Sequence, residues 1–142
     1  MAIAEGTARV DVFQELFTLI NNNKLAGTTV LATFPEKSPT FPCYVINSAE
    51  VFNENLSMDR TTSNLEFTID IEFFADARDG MQKIDQMKDN IVSTLRDGTN
   101  ITSLKNAGIS MSNIRDQGNL QSAFRNMKLN TGRISVTGEI LL

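Results

Sequence analysis

The stretch Leu65–Phe74, LEFTIDIEFF, constrains the chain more than any other. Leu65, Phe67, Ile69, Ile71 and Phe73 are apolar, and Glu66, Thr68, Asp70 and Glu72 between them are polar. Successive side chains on a β-strand point to opposite faces, so this alternation predicts a strand with one dry face and one wet one. A sequence containing it must build a sheet, bury one face of that sheet, and dispose of three carboxylates on the other. The wet face, and what an acidic stripe on it is for, is the functional question the sequence poses.

The size and composition allow such a sheet without staples. The 142 residues suit one domain, 1–142, and the 41% apolar and 21% charged fractions are ordinary for a globular chain. Folding at this size removes roughly two-thirds of the unfolded surface from water. No apolar run approaches the roughly 18–20 residues that cross a bilayer, so no membrane partner is expected. The start MAIAEGTARVDVF lacks a basic segment followed by an apolar one, so no secretory signal is expected. The triplets Asn55-Leu56-Ser57 and Asn100-Ile101-Thr102 are therefore read as chance rather than glycosylation sites. Cys43 is the only cysteine, which excludes an intrachain disulfide, and within FPCYVI it reads as a small buried hydrophobe.

Histidine is absent. That removes the commonest general base, the commonest metal ligand and every Ser-His or Cys-His nucleophile pair, and it argues against enzyme chemistry. Net charge is −4 but unevenly spread: residues 1–104 carry 8 Lys/Arg against 15 Asp/Glu (−7), and residues 105–142 carry 5 against 2 (+3). Solvated charge accounts for this simply; head-to-tail contact between acidic and basic surfaces of neighbouring copies accounts for it as well.

Along the chain, Val12, Phe13, Leu16, Phe17 and Ile20 form a helical apolar stripe, with Thr7 as N-cap and Asn21–Asn23 as the stop. TTVLATF and FPCYVIN read as short strands separated by a connection holding Pro35, Pro39 and Pro42, with Pro42 at a strand start or edge. NSAEVFNENLSMDRTTSN reads as a long polar loop. The alternating strand starts near Thr61 or Thr62 and leads into a helix capped by Asp76 or Asp79. That helix has Met81, Ile84, Met87, Ile91, Val92 and Leu95 as its buried face and Gly98 as its stop. GISMSNIRD reads as a short strand. In the closing FRNMKLNTGRISVTGEILL, Gly132 and Gly138 suggest a bulge or bend, or a hairpin turn at Asn130–Gly132. The order is α-β-β-β-α-β-β. Two helices can cover four or so strands on one face only, which predicts an α+β two-layer sandwich: a mainly antiparallel sheet of four to five strands with two helices on one face. Glu66, Asp70 and Glu72 then project from the uncovered face.

Asp70-x-Glu72 offers hard oxygen ligands, but no glycine-bent ligand loop or second carboxylate motif accompanies it, so neither metal nor other cofactor is expected. No phosphate-binding loop is present, and Trp, the usual sugar platform, is missing. RNMKLNTGR is modestly basic without interleaved aromatics. Arg125, Lys128 and Arg133 are therefore read as a solvated strand face or a subunit or partner contact, not as a nucleic-acid site.

An N-terminal helix, the stretch TFPEKSPTFPCYVI, an alternating FTIDIEFFA strand running into an amphipathic helix, and a terminal GRISVTGEIL strand together resemble the tail terminator (tail completion, or neck) proteins of long-tailed bacteriophages, over nearly the whole chain. The resemblance implies a virion protein, a small subunit of a ring, usually a hexamer. Such a ring sits on the last tail-tube ring, ends tube growth and meets the head's connector, with DNA passing through its centre. It implies no catalytic residues and no cofactor. Facing that channel, Glu66, Asp70 and Glu72 would repel the duplex and leave it free to slide, because neutralising phosphates is what makes proteins bind DNA. A head-closure protein, or a small adaptor that captures a partner strand at its sheet edge, are the alternatives.

Overall fold

The computed structural model describes residues 7–32, 41–53, 65–124 and 127–140. The elements are α1 (Ala8–Asn23), β1 (Thr29–Leu31), β2 (Cys43–Ile46), β3 (Glu50–Asn53), β4 (Leu65–Asp76), a 3-10 turn (Ala77–Asp79), α2 (Met81–Arg96), α3 (Gly98–Asn106), β5 (Ile109–Phe124) and β6 (Met127–Ile140). The fold is α+β, as the alternation demands. Pro35, Pro39, Arg125 and the strand start near Thr61 lie outside the described residues.

β4 is the centre of the sheet, whose order is β1-β2-β4-β6-β5. Only β1 and β2 pair in parallel; the rest is antiparallel. One flank of β4 takes β6 along its entire length, Leu65↔Ile140 to Asp76↔Leu129. The other flank takes β2 against Ile71–Phe74 and β3 against Leu65–Thr68, end to end. The sheet is thus six strands but five wide, which reconciles it with the expected four to five. The stretch read as a long loop contains β3, which the sequence hides because Glu50-Val51-Phe52-Asn53 is too short to show a period.

Along β4 the residues are alternately buried and half-buried from end to end. Leu65, Phe67, Ile69, Ile71, Phe73 and Ala75 join Val12, Leu16 and Ile20 of α1, Ile84, Met87, Ile91 and Leu95 of α2, and Ile134, Val136 and Ile140 of β6 in one core. At roughly 1.5–3 kcal/mol for each large apolar side chain, this layer supplies most of the force holding helices to sheet.

Several local expectations are corrected. The Asn run does end α1, at Asn23, but from inside the last turn; Asn23 Nδ2 donates to Leu19 O at 2.8 Å, holding the end. Thr7 begins α1 without bonding a backbone amide; its hydroxyl donates instead to Asp11 Oδ2 at 2.7 Å. Asp76 caps the 3-10 turn, accepting from Arg78 N, and Gly80, at φ +77°, opens α2. Gly98 does not end the helical region. Asp97 accepts from the amides of Thr99 and Asn100 and starts a third helix, α3.

The largest correction concerns the end of the chain. β5 and β6 form a hairpin of 16- and 14-residue strands, so GISMSNIRD is only the first half of β5, and Asn130–Gly132 lies inside β6. The irregularities fall on β5, between Met111 and Asn113 and between Asp116 and Asn119. Gly132 and Gly138 are close-approach positions instead. A Cβ on Gly132 would lie 2.8 Å from Ile84 Cγ2 and from Lys88 Cε, and one on Gly138 would overlap the Ser110 carbonyl oxygen.

Candidate functional site

The wet side of β4 faces away from the helices. Direct cross-strand partners share a face, so Glu66, Thr68, Asp70 and Glu72 stand beside Glu139, Thr137, Ser135 and Arg133 of β6. All four β4 residues are half-buried, because a central strand is flanked on both sides. Asp70 Oδ1 accepts from the Ser135 hydroxyl at 2.5 Å. Glu72 Oε1 accepts from Asn47 Nδ2 at 3.0 Å and pairs with Arg133 Nη2 at 3.2 Å. The stripe is therefore graded. At one end Glu66 and Glu139 bring like charges into register; at the other Glu72 is neutralised by Arg133.

This face is not wet throughout. Cys43 and Val45 lie across from Phe74 and Glu72, and Leu129 lies across from Asp76, and all three are buried. Burial pushes the Cys43 thiol up to about 12, so it is a packed, unreactive group.

The three cations named from sequence do not form one patch. Arg133 belongs to the stripe itself. Lys128 is exposed and lies past the end of β4, whose last pair is Asp76↔Leu129. Arg125 is outside the described residues. Among the described residues, no group of three His, Cys, Asp or Glu side chains could hold a metal ion, and no helix is long and apolar enough to cross a membrane. The Ser135–Asp70 pair has no imidazole to complete a nucleophile, since the chain has none. What the face can do is electrostatic: it presents carboxylates, hydroxyls and two arginines, Arg133 and the Arg115 that stands across from Ser135, on a stiff sheet.

Sequence reasoning missed a polar lock on the other side of the sheet. Lys88 sits on the buried stripe of α2, its side chain 7% exposed. It crosses β6 over Gly132 and donates to Asp116 Oδ1 at 2.6 Å, to Gly118 O at 3.1 Å and to Asn119 Oδ1. Asp116 also accepts from Gly118 N at 2.8 Å, and Asn119 Nδ2 donates to Asp85 Oδ1 at 3.0 Å. These partners are the residues of the second irregularity in β5, where Gly118 has φ +92°. The Lys88 ammonium, then the Gly118 amide, holds the Asp116 carboxyl below the usual carboxylate range. The signal was present in the sequence: Lys88 is four residues from Ile84 and three from Ile91, the spacing of the core face.

Two surface grooves among the described residues bear on assembly. One of about 460 Å³ on the outer face is lined by Phe74, Leu120, Thr131 and Arg133, among others. The other, of about 480 Å³, is lined mainly by Val10, Phe13, Ala32 and Ala49, with Arg9 at its rim.

No protein-family model and no curated protein matches the chain. Among solved structures it is similar to a chain of one described as "Virion of native gene transfer agent (GTA) particle", at TM-score 0.38 and 11% identity, over 96% of this chain and 99% of that one. A likeness of that degree carries no argument about function.

Proposed function

We propose that the protein is a non-enzymatic structural subunit of a phage-type virion, a tail terminator that forms a ring between tail tube and head connector. The observation that carries the reading is the one-sided sheet. Helices bury one face of β4, while the opposite face presents Glu66, Asp70 and Glu72 with no helix of the described chain over them. Repeated around a ring, that face supplies a lining that resists phosphate and lets DNA slide. The carboxylates of this face carry the repulsion, Glu72 less than its charge would suggest because Arg133 pairs with it. The resemblance of its sequence segments to those of tail terminators supports the same reading, with the tail-tube protein and the connector as partners in the virion.

The test is assembly. Light-scattering mass and negative-stain microscopy of the purified protein, alone and with a tail-tube protein, should show a closed ring with a central hole, six subunits being expected. A monomer under both conditions refutes the reading.

The edge strand β5 argues against the other reading, an adaptor that adds a partner's strand to the sheet. Its two irregularities break the edge into short pieces, which is how proteins discourage such pairing.

A further inference from the structure

The large apolar side chains standing most exposed among the described residues are Val10, at 56%, and Leu120, at 62%. They lie at opposite edges of one sheet. Val10 is on α1, beside Ala32, which follows β1, and Ala49, which precedes β3. Leu120 is on β5, the far edge strand, on the outer face across from Thr131. Four inter-strand steps separate β1 from β5, about 19 Å. A single subunit cannot bring these two apolar points together.

Their surroundings differ in charge. Leu120 shares its outer face with Arg115 and with Arg133, which is already paired with Glu72, and exposed Lys128 lies on the same hairpin. The α1 groove is an apolar hollow, and its neighbourhood is acidic. Asp11 and Glu15 are on the same helix and Glu50 opens the adjoining β3, while Arg9 is engaged with Val51 O at 3.2 Å.

We infer that the Leu120 edge of one copy docks in the Val10–Phe13 groove of the next, with the hairpin cations facing the α1 carboxylates. The occupant is a second copy of this chain. A hollow of about 480 Å³ has room for a leucine side chain and part of its flanking strand. The two surfaces are different patches of one molecule, so the contact is heterologous and propagates in one direction, closing into a ring where the rotation allows. A leucine seated in an apolar hollow leaves water, and opposite charges around it fix the orientation of the contact. The inference rests on the ring reading and names the contact that would build it.

The test uses two single-cysteine variants, Val10→Cys and Leu120→Cys, and a short bis-maleimide. The native Cys43 is buried and its thiol is pushed up to about 12, so it stays out of the reaction. When the two variants are mixed, a covalent heterodimer of one Val10→Cys copy with one Leu120→Cys copy is expected, and neither variant alone should crosslink. Crosslinking within either variant alone would reveal a two-fold contact and overturn the proposal. An oligomer by light scattering with no crosslink of either kind would overturn this interface and leave the ring standing. A monomer at every concentration would overturn both. As a second arm, Leu120→Asp should melt like the wild type, because the site is exposed, yet weaken self-association by about tenfold or more. Unchanged association would count against the contact.

Discussion

Gly138→Ala adds one methyl group to the chain, and the structure says where it goes. Gly138 sits in β6 between Phe67 of β4 and Met111 of β5, on the core face. A Cβ there would stand 2.8 Å from Phe67 Cε1 and 2.9 Å from Met111 Cα, and it would overlap the Ser110 carbonyl oxygen. Carbon–carbon contacts are comfortable at about 3.5–4.0 Å, so the methyl is too close by about 1 Å on two sides. Phe67 can rotate slightly, but the Ser110 oxygen and Met111 Cα are backbone of a paired strand and yield only if the hairpin register opens. Overpacking of this kind costs about 1–3 kcal/mol, and the backbone obstacle puts this site near the top, about 3 kcal/mol. For a chain of this length that lowers Tm by about 6–12 °C. Gly98→Ala is the control. Nothing lies within 4 Å of its Cβ, and it opens α3, so alanine there should stabilise by about 0.5–1 kcal/mol. The assay is urea and thermal unfolding of both variants against wild type. A Gly138→Ala protein as stable as wild type would show that β5 and β6 do not pair in this register.

Three further outcomes follow. Lys88→Met keeps the stem of the side chain but strands the Gly118 carbonyl and Asn119, at about 1–2 kcal/mol after allowing for an Asp116 side chain that is 63% exposed; a full-strength urea midpoint would refute the lock. Because the folded Asp116 carboxyl titrates below its unfolded value, its stabilisation is complete above about pH 4 and lost as pH falls through the folded value. Acid unfolding should therefore be shallower in Lys88→Met than in wild type, and parallel acid limbs would exclude the pairing. Ile91→Asp places a carboxylate at a fully buried position of α2 and should prevent folding, which a soluble, normally melting product would disprove.

How much of this was readable from the chain follows from the reach of its periodicities. β4 was legible because it is long and two-faced, and α1 and α2 because each carries a repeated apolar stripe. β3 and α3 were not. β3 is four residues, and the Asp97 cap that starts α3 is adjacent to a glycine that reads as a stop. β5 was cut short because its second half, Arg115 to Gln121, is exposed and polar save for Leu120, and an edge strand needs no apolar face. Parity alone puts Glu66, Asp70 and Glu72 on the face of β4 opposite its buried residues. The neutralisation of Glu72 by Arg133 was hidden because it depends on a register between residues 61 positions apart. The same limit concealed Lys88, whose partners lie on β5.

The central claim, that the uncovered face of β4 lines a channel for DNA, is tested most directly by DNA ejection from particles whose lining has been reversed in sign. Glu66→Lys combined with Asp70→Lys leaves the Glu72–Arg133 pair intact and turns two repelling positions per subunit into phosphate-binding ones. Compared at matched assembly yield, the variant particles should eject DNA more slowly than wild type. The difference should shrink as salt rises, because the added attraction is screened. Equal ejection rates at low salt would contradict the claim and leave Glu66 and Asp70 as ordinary solvated charge.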